Sequence, residues 1–442
     1  MSGTTPQRSS PTAWLARAVE RSVMERLAAL SEGELVVVAG GARTTFGRRS
    51  AALPDPVTLE ILDPEFWWRV ALRGSIGAGE SYMAGEWRAS DLVLLVRLFA
   101  RNRVLNDQVE GGLARLARPL LRLAHARRGN DRAGARRNIA DHYDLGNDFF
   151  ALFLDPSMTY SCALFESPGQ SLADAQRAKI DRLCRRLELR PGDHLLEIGT
   201  GWGAFALHAA REYAARVTTT TISRRQHEFA SERVRAAGLA ERIDVRLTDY
   251  RDLTGTFDKV VSVEMVEAIG WRQFETYFAT IARLLAPDGC AAIQSIVIAD
   301  DRYEAARDSV DFIQAHIFPG CCIPSVSALV GAAARASDLR LVALDEIGPH
   351  YARTLREWRL ALLAQRPALA RLGVPDERIR AWEWYFAYCE GGFEERVLGD
   401  AQLRFDRPQC RTPPLLPPLP PPSPLPAATR QAPVARSETV AR

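Results

Sequence analysis

Three consecutive strand ends in the middle of this sequence carry side chains that together could hold a ligand. The first is Leu195 to Gly203, LLEIGTGWG. The short apolar run His194 to Ile198 has the length of a buried strand. It stops at Gly199, Gly201 and Gly203, and a helical pattern follows from Ala204 to Arg211. Gly199 and Gly201 admit backbone angles that a Cβ forbids, and they let a ligand approach the main chain. The spacing G-x-G-x-G lacks the third glycine of a dinucleotide fingerprint. Glu197, inside the strand, suits a cationic or amino-bearing ligand better than a pyrophosphate. The second strand end is VTTTTISRRQ, Val217 to Gln226, which carries no acid; Thr221 and Gln226 offer neutral hydrogen-bonding groups instead. The third is LTDYRDL, where Asp249 can accept from an amino group and Tyr250 or Arg251 can cover a ring face.

The elements that must position these residues alternate. Strands are expected at 194–198, 216–222, 243–247, 258–263 and 289–297, separated by helices at 171–189, 204–213, 224–237 and 271–285. This alternation predicts an α/β fold with a doubly wound parallel sheet and a ligand at the carboxyl ends of the strands. Two later strands, 340–347 and 401–406, complete seven. The insert between about 300 and 335 and the Trp/Tyr-rich helix near 378–390 are not needed for that sheet and are candidates for a substrate cover.

Around this core the chain divides by composition. Residues 1–12 are expected to be disordered. Residues 13–112 form a smaller N-terminal α+β domain: a helix over Ala13 to Leu30, strands at Glu34 to Ala39 and Val57 to Leu62, and a helix and turn over Asp63 to Gly85. Trp67, Trp68, Tyr82 and Trp87 are its expected core aromatics. Residues 113–138 are a basic linker, with arginines such as Arg115, Arg127, Arg128, Arg136 and Arg137 interleaved with leucines. Such a run is either a solvated helix or a surface for anionic lipid headgroups, where each Arg is worth on the order of 1 kcal/mol. Residues 139–407 form the main domain, and 408–442 a disordered Pro-rich tail.

The 442 residues carry a net charge of +3, too small to point to nucleic acid by itself. Arg replaces almost all Lys; only Lys179 and Lys259 remain. No apolar run is long enough to span a bilayer, no secretory h-region is visible, and the seven Cys lack metal-ligand spacing. A cytoplasmic protein without a metal is expected, peripheral on the inner face of the membrane if its substrate is a lipid.

The first motif resembles that of S-adenosylmethionine-dependent methyltransferases. With its neighbours it resembles the cyclopropane-fatty-acyl-phospholipid synthases specifically. The resemblance runs from about 140 to 406 through HYDLGNDFF, LDPSMTYSCALF, FDKVVSVEMVEAIG, FIQAHIFPGCCIPS and HYARTLREW, and GSIGAGESYMAGEW extends it to the N-terminal region. It implies a class I methyltransferase fold and S-adenosylmethionine as cofactor, with contacts at Tyr160, Ser161, Gly199, Gly201, Thr221, Gln226 and Tyr250, Asp249 meeting the adenine amino group. The implied reaction adds a methylene to the cis double bond of an unsaturated phospholipid acyl chain, forming a cyclopropane. A bicarbonate ion is the implied base, held by Cys162, Glu267 and Tyr351.

Two positions depart from the family. Gln294 stands where its bicarbonate-site His is usual, and Ala268 stands where a His follows the glutamate. Gln294 can donate to an anion without carrying charge. Such departures look like a side branch, so C-methylation giving a methylene- or methyl-branched chain without a ring is the alternative. A non-catalytic lipid-binding protein is a further one. Glu264, three residues before Glu267, is read as a surface-side capping residue. No nucleic-acid partner is expected, and a homodimer is left open.

Overall fold

A computed structural model describes residues 11–102, 134 and 146–411. The basic linker, the extreme N-terminus and the Pro-rich tail from 412 onward lie outside the described residues.

The N-terminal part opens with α1, Pro11–Leu27, which begins two residues inside the stretch expected to be disordered. Strands β1 (Gly33–Ala39), β2 (Ala42–Arg48), β3 (Val57–Ile61) and β4 (Trp87–Ala89) form a four-stranded sheet in the order β2-β1-β3-β4. The sequence reading placed β1 and β3 and missed β2 and β4. β2 is polar and mostly exposed, paired only to β1, and β4 is three residues long, so neither shows a hydrophobic period. Helix α2 (Glu65–Ala84) and helix α3 (Leu92–Arg101) cover the sheet; Asp91 caps α3 by accepting from Leu94 N at 2.9 Å.

The main sheet follows the alternation closely. Its strands are β5 (His194–Ile198), β6 (Arg216–Thr221), β7 (Ile243–Leu247), β8 (Phe257–Val263), β9 (Leu285–Ile298), β10 (Arg340–Glu346) and β11 (Leu398–Asp406). Their order is β10-β11-β9-β8-β5-β6-β7, a seven-stranded sheet. β7, β6, β5, β8 and β9 run parallel, and β11 is antiparallel to both β9 and β10. The chain leaves β5 towards β6 on one side and reaches β8 on the other, so the switch point lies at the carboxyl end of β5. Helices α4 (Leu172–Arg186), α5 (Ala204–Glu212), α6 (Arg224–Ala236), α7 (Phe274–Leu284) and α8 (Val326–Ala336) supply the two covering layers. Ser171, Ser223 and Ser325 cap α4, α6 and α8 with their hydroxyls.

Two further helices, α9 (Gly348–Ala364) and α10 (Asp376–Glu394), tie the two sheets together. Trp384 of α10 packs on Tyr82 and Trp87 with ring centroids 5.8 and 5.5 Å away. A Cβ at Gly391 would lie 2.7 Å from Val96, so α10 meets α3 only because this residue has no side chain. Trp67, Tyr82 and Trp87 are buried as expected, in an apolar core that continues into Trp358, Trp382 and Phe386, whereas Trp68, expected with them, is only half-buried. Among the described residues no helix is long and apolar enough to cross a membrane.

Candidate active site

At the carboxyl end of β5 the chain turns through Gly199 (φ 104°), Gly201 (φ 51°) and Gly203 (φ 87°), all in the left-handed region that favours glycine. The amides of Gly199 and Thr200 both donate to Thr220 O at 3.0 Å, which fixes the turn against β6. A Cβ at Gly201 would meet nothing within 4 Å, so the turn borders open space that a side chain would enter. Glu197, just below, is buried. Its Oε2 accepts from Thr219 Oγ1 at 2.6 Å, and burial pushes its pKa up to about 8. A cationic group arriving beside it would favour its ionised form.

At the end of β6, Thr221 donates to Gln226 Oε1 at 2.8 Å and accepts from Ser223 N at 3.1 Å, so the two neutral groups expected at this edge do meet. At the end of β7, both Asp249 oxygens are engaged by the Arg251 guanidinium, at 2.9 and 2.7 Å. Tyr250 is buried against Tyr277, edge to face at 5.8 Å, and its hydroxyl has no partner. Tyr160 donates to Tyr385 Oη at 3.1 Å. The neighbouring Ser161 hydroxyl accepts from Lys179 Nζ at 2.6 Å.

The second cluster lies at the carboxyl ends of β8 and β9 and centres on a residue that the sequence reading set aside. Glu264 is no surface cap. Oε1 accepts from Cys162 N and from Gln294 Nε2, each at 2.8 Å, and Oε2 accepts from Tyr351 Oη at 2.6 Å. Its backbone is held at φ 47°, with its N–H donating to Gln294 O at 2.8 Å. A non-glycine residue in this conformation is held there by its surroundings. Three of the four residues expected to cradle an external anion therefore surround this carboxylate. Cys162 contributes its backbone N–H; its thiol donates to Ala163 O at 3.3 Å and lies beside Asp400, and burial, then the charge of Asp400, raises its pKa well above the usual thiol range.

Glu267, the fourth, is also buried. Its Oε1 accepts from Ser295 Oγ at 2.9 Å and Ile296 N at 2.6 Å, while Oε2 has no partner. Burial, and then the charge of Glu264, push its pKa up to about 8. Asp400 of β11 completes the group. It is fully buried, accepts from Gln294 Nε2 at 3.1 Å, and contacts Glu264. Burial first, and Glu264 second, raise its pKa well above the usual carboxylate range. The contact between the two carboxyls is a hydrogen bond when Asp400 carries the proton. Gln402 Nε2 donates to Gln294 Oε1 at 3.0 Å and so turns the Gln294 amide nitrogen toward both acids.

Asp400, Gln402 and Lys179 had no sequence signal of a motif kind. Lys179 had one of another kind: it is one of two lysines in a chain with 57 basic residues. It is buried, and desolvation lowers its pKa. A buried lysine can give up its proton, which an arginine cannot, and that gives a reason for a lysine here.

A cavity of about 1110 Å³ opens onto this cluster. Glu264, Glu267 and Tyr351 line one end, Trp67, Val70 and Leu95 of the N-terminal part line another, and Ile313, Phe318 and Tyr385 close it over. The insert after residue 300 and α10, the expected candidates for a substrate cover, thus line the cavity, with the N-terminal part as a further wall. Met265, next to Glu264, lies 3.3 Å from where a Cβ of Gly199 would be, so the cavity's acid end adjoins the glycine turn.

The comparisons with known proteins agree with this geometry. The mycolic acid cyclopropane synthetase family matches residues 130–403. A tuberculostearic acid methyltransferase of Mycobacterium tuberculosis is 43% identical over 339 residues, covering 75% of this chain and 78% of that protein. A cyclopropane-fatty-acyl-phospholipid synthase of Escherichia coli is 36% identical over 356 residues, covering 80% of this chain and 88% of that protein. Among solved structures, the mycolic acid cyclopropane synthase complexed with SAH and CTAB superposes with a TM-score of 0.57 at 30% identity, covering 61% of this chain and 98% of that one. Its doubly wound seven-stranded sheet, its glycine turn and these matches together establish that the chain belongs to the mycolic acid cyclopropane synthetase family of S-adenosylmethionine-dependent lipid methyltransferases.

Proposed function

We propose that this protein methylates a carbon of a cis double bond within a lipid acyl chain, and that the product carries the added carbon as a methylene branch. The observation that carries the reading is the largely apolar cavity that ends on a buried carboxylate cluster, with Met265, next to Glu264, packed against the glycine turn. S-adenosylmethionine, when bound at the turn, supplies a methyl group made electrophilic by its sulfonium. The chain's own residues do the rest. Gly199 and Gly201 leave room at the turn, and Glu197, Thr221, Gln226 and Asp249 are placed at its rim to hold the cofactor's polar groups, with Tyr160 and Ser161 on the facing segment. The cavity walls hold the acyl chain and keep water from the cation that methyl transfer creates.

The expected cyclopropane product is the second reading. Similarity to the Escherichia coli synthase supports it. The higher identity to a relative named for tuberculostearic acid favours the branched one. Both begin with the same carbon–carbon bond. In the branched outcome a hydride shifts to the cation before the added methyl loses its proton; in the ring outcome the proton leaves first and the ring closes. Expression in a host that lacks such enzymes, followed by mass spectrometry of its phospholipid acyl chains, tests both. A gain of one CH₂ with an exocyclic alkene is expected, the same gain with no alkene would establish the ring, and no gain would overturn both.

The substrate reading places the protein at a membrane surface. The basic linker, outside the described residues, is the segment proposed to meet anionic headgroups. The bicarbonate ion expected as base does not fit the residues present. It would need the donors on Cys162, Gln294 and Tyr351 that Glu264 already takes, and it would sit among Glu264, Glu267 and Asp400. No step passes through it.

A further inference from the structure

We propose that Glu264 is the general base of the reaction, a carboxylate supplied by the chain itself, and that turnover is independent of any added anion. The inference rests on the acyl-chain methylation reading for the identity of the proton it removes.

Four observations lead to it. Glu264 is half-buried and lines the cavity, so its carboxylate borders the space in which the substrate lies. Three donors hold that carboxylate from three separate segments, Cys162 N, Gln294 Nε2 and Tyr351 Oη. A residue so held cannot swing away, and its left-handed backbone directs the side chain inward where an ordinary strand residue would follow the pleat. The other two acids of the cluster are poor bases, since burial favours their protonated forms. Glu267 in addition has one oxygen locked on Ser295 and Ile296, while its unpartnered Oε2 is buried beside the cavity. Protonated there, Glu267 serves as a neutral neighbour. Asp400, protonated, donates to Glu264 and confines the negative charge of the cluster to one carboxylate.

The step balances. The alkene π pair forms the new carbon–carbon bond as the carbon–sulfur bond of the methyl donor breaks, leaving a cation on the acyl chain. A hydride then shifts to that cation from the methylated carbon. A C–H bond of the added methyl breaks next, its electron pair forms the exocyclic double bond, and the proton goes to Glu264 Oε2, which accepts only from Tyr351 Oη, whereas Oε1 already accepts from Cys162 N and Gln294 Nε2. Glu264 returns the proton to water after product leaves. In the ring outcome the same proton goes to the same carboxylate. A carboxylate beside a developing cation also stabilises it in a site of low dielectric. Glu264 touches the reacting proton and is on this reading a catalytic residue, whereas Gln294, Tyr351 and Gln402 are positioning residues.

The test compares three proteins with and without carbonate. The wild type, assayed on oleoyl phospholipid vesicles in carbonate-stripped buffer, should turn over at its full rate. Glu264→Gln should lose roughly 10² to 10⁴ in turnover, with SAH affinity and melting temperature unchanged. Glu264→Ala, which vacates the three donors, should regain part of its rate when bicarbonate or formate is added, and its ¹³C-bicarbonate signal should broaden where that of the wild type does not. Should the glutamine variant unfold, Glu264→Asp, shortened by one methylene, must still show a turnover deficit without carbonate dependence. A wild type that slows on carbonate removal, a wild type that broadens the ¹³C signal, or a Glu264→Gln variant at full rate would overturn the proposal. A wild type that yields no methylated lipid would sink the substrate reading alone, and the ¹³C comparison would still decide whether Glu264 or an external anion fills the donor set.

Discussion

Two polar clusters share the carboxyl edge of one sheet, and they are built in opposite ways. The cofactor edge, at the ends of β5, β6 and β7, is made of neutral or paired groups on short loops: three glycines, Thr221 with Gln226, Asp249 with Arg251. Each of its pairs lies within five residues in sequence. The reaction edge, at the ends of β8, β9 and β11, gathers three carboxyl groups, and its bonds join residues 28 to 108 positions apart. The difference follows from what each must do. Holding a preformed polar cofactor requires shape and hydrogen bonds, which a loop provides. Holding a carboxylate beside an apolar cavity requires donors from several directions and the exclusion of water, which only convergent segments provide.

The sharpest break of this comparison is a pair of isosteric changes on one edge. Glu264→Gln should lose roughly 10² to 10⁴ in turnover, while Glu267→Gln, which replaces a largely protonated acid, should lose less than about tenfold. Steady-state rates on the same vesicles decide it; equal losses would mean that the charge is shared by both acids. Next in size is Gly201→Val on the cofactor edge. Its branched side chain fills the open space at the turn and is strained at φ 51°, so SAH affinity should fall roughly thirtyfold or more, about 2 kcal/mol, in calorimetric titration. Unchanged affinity would remove the turn from the cofactor site.

Stability against pH provides a third measure. Glu197 on one edge and Glu267 on the other both have pKa values pushed up to about 8 from the ordinary 4.5. The folded protein then holds protons that the unfolded chain releases. Stability is full below about pH 4.5 and is lost as pH rises toward 8, by at most about 1.4 kcal/mol per pH unit for each group. His194, His208 and His350, with pKa values lowered by burial, act in the opposite sense, so the comparison is between proteins: in thermal melts from pH 5 to 8 the wild type should lose more stability than Glu197→Gln or Glu267→Gln, and identical pH slopes would show the two acids ionised in the fold. The smallest effect belongs to neither edge. Glu395 joins α10 to α3 through Arg97 at 2.8 Å and Arg101 at 2.6 Å. Glu395→Ala should cost less than about 1 kcal/mol in urea melts and leave SAH affinity unchanged.

The sequence by itself determined the sheet and the cofactor edge. β5, β6 and β8 are mostly apolar or β-branched runs, α4, α6 and α8 start at serine caps, and Gly199, Gly201 and Gly203 announce a turn without reference to anything distant. These are local rules, so the strands expected at 194–198, 243–247 and 258–263 lie within a residue of β5, β7 and β8. The same rules missed β2, whose exposed polar residues have no period. Only the tertiary structure decided the reaction edge. Glu264 in isolation is an ordinary acid after a strand, and its neighbour Glu267 carries the more familiar pattern. What distinguishes Glu264 is a backbone bent to φ 47° and three donors brought from Cys162, Gln294 and Tyr351, 30 to 102 residues away. The charge state of each acid depends on how much water the packed chain leaves beside it, and desolvation is a property of the folded interior that no residue carries alone.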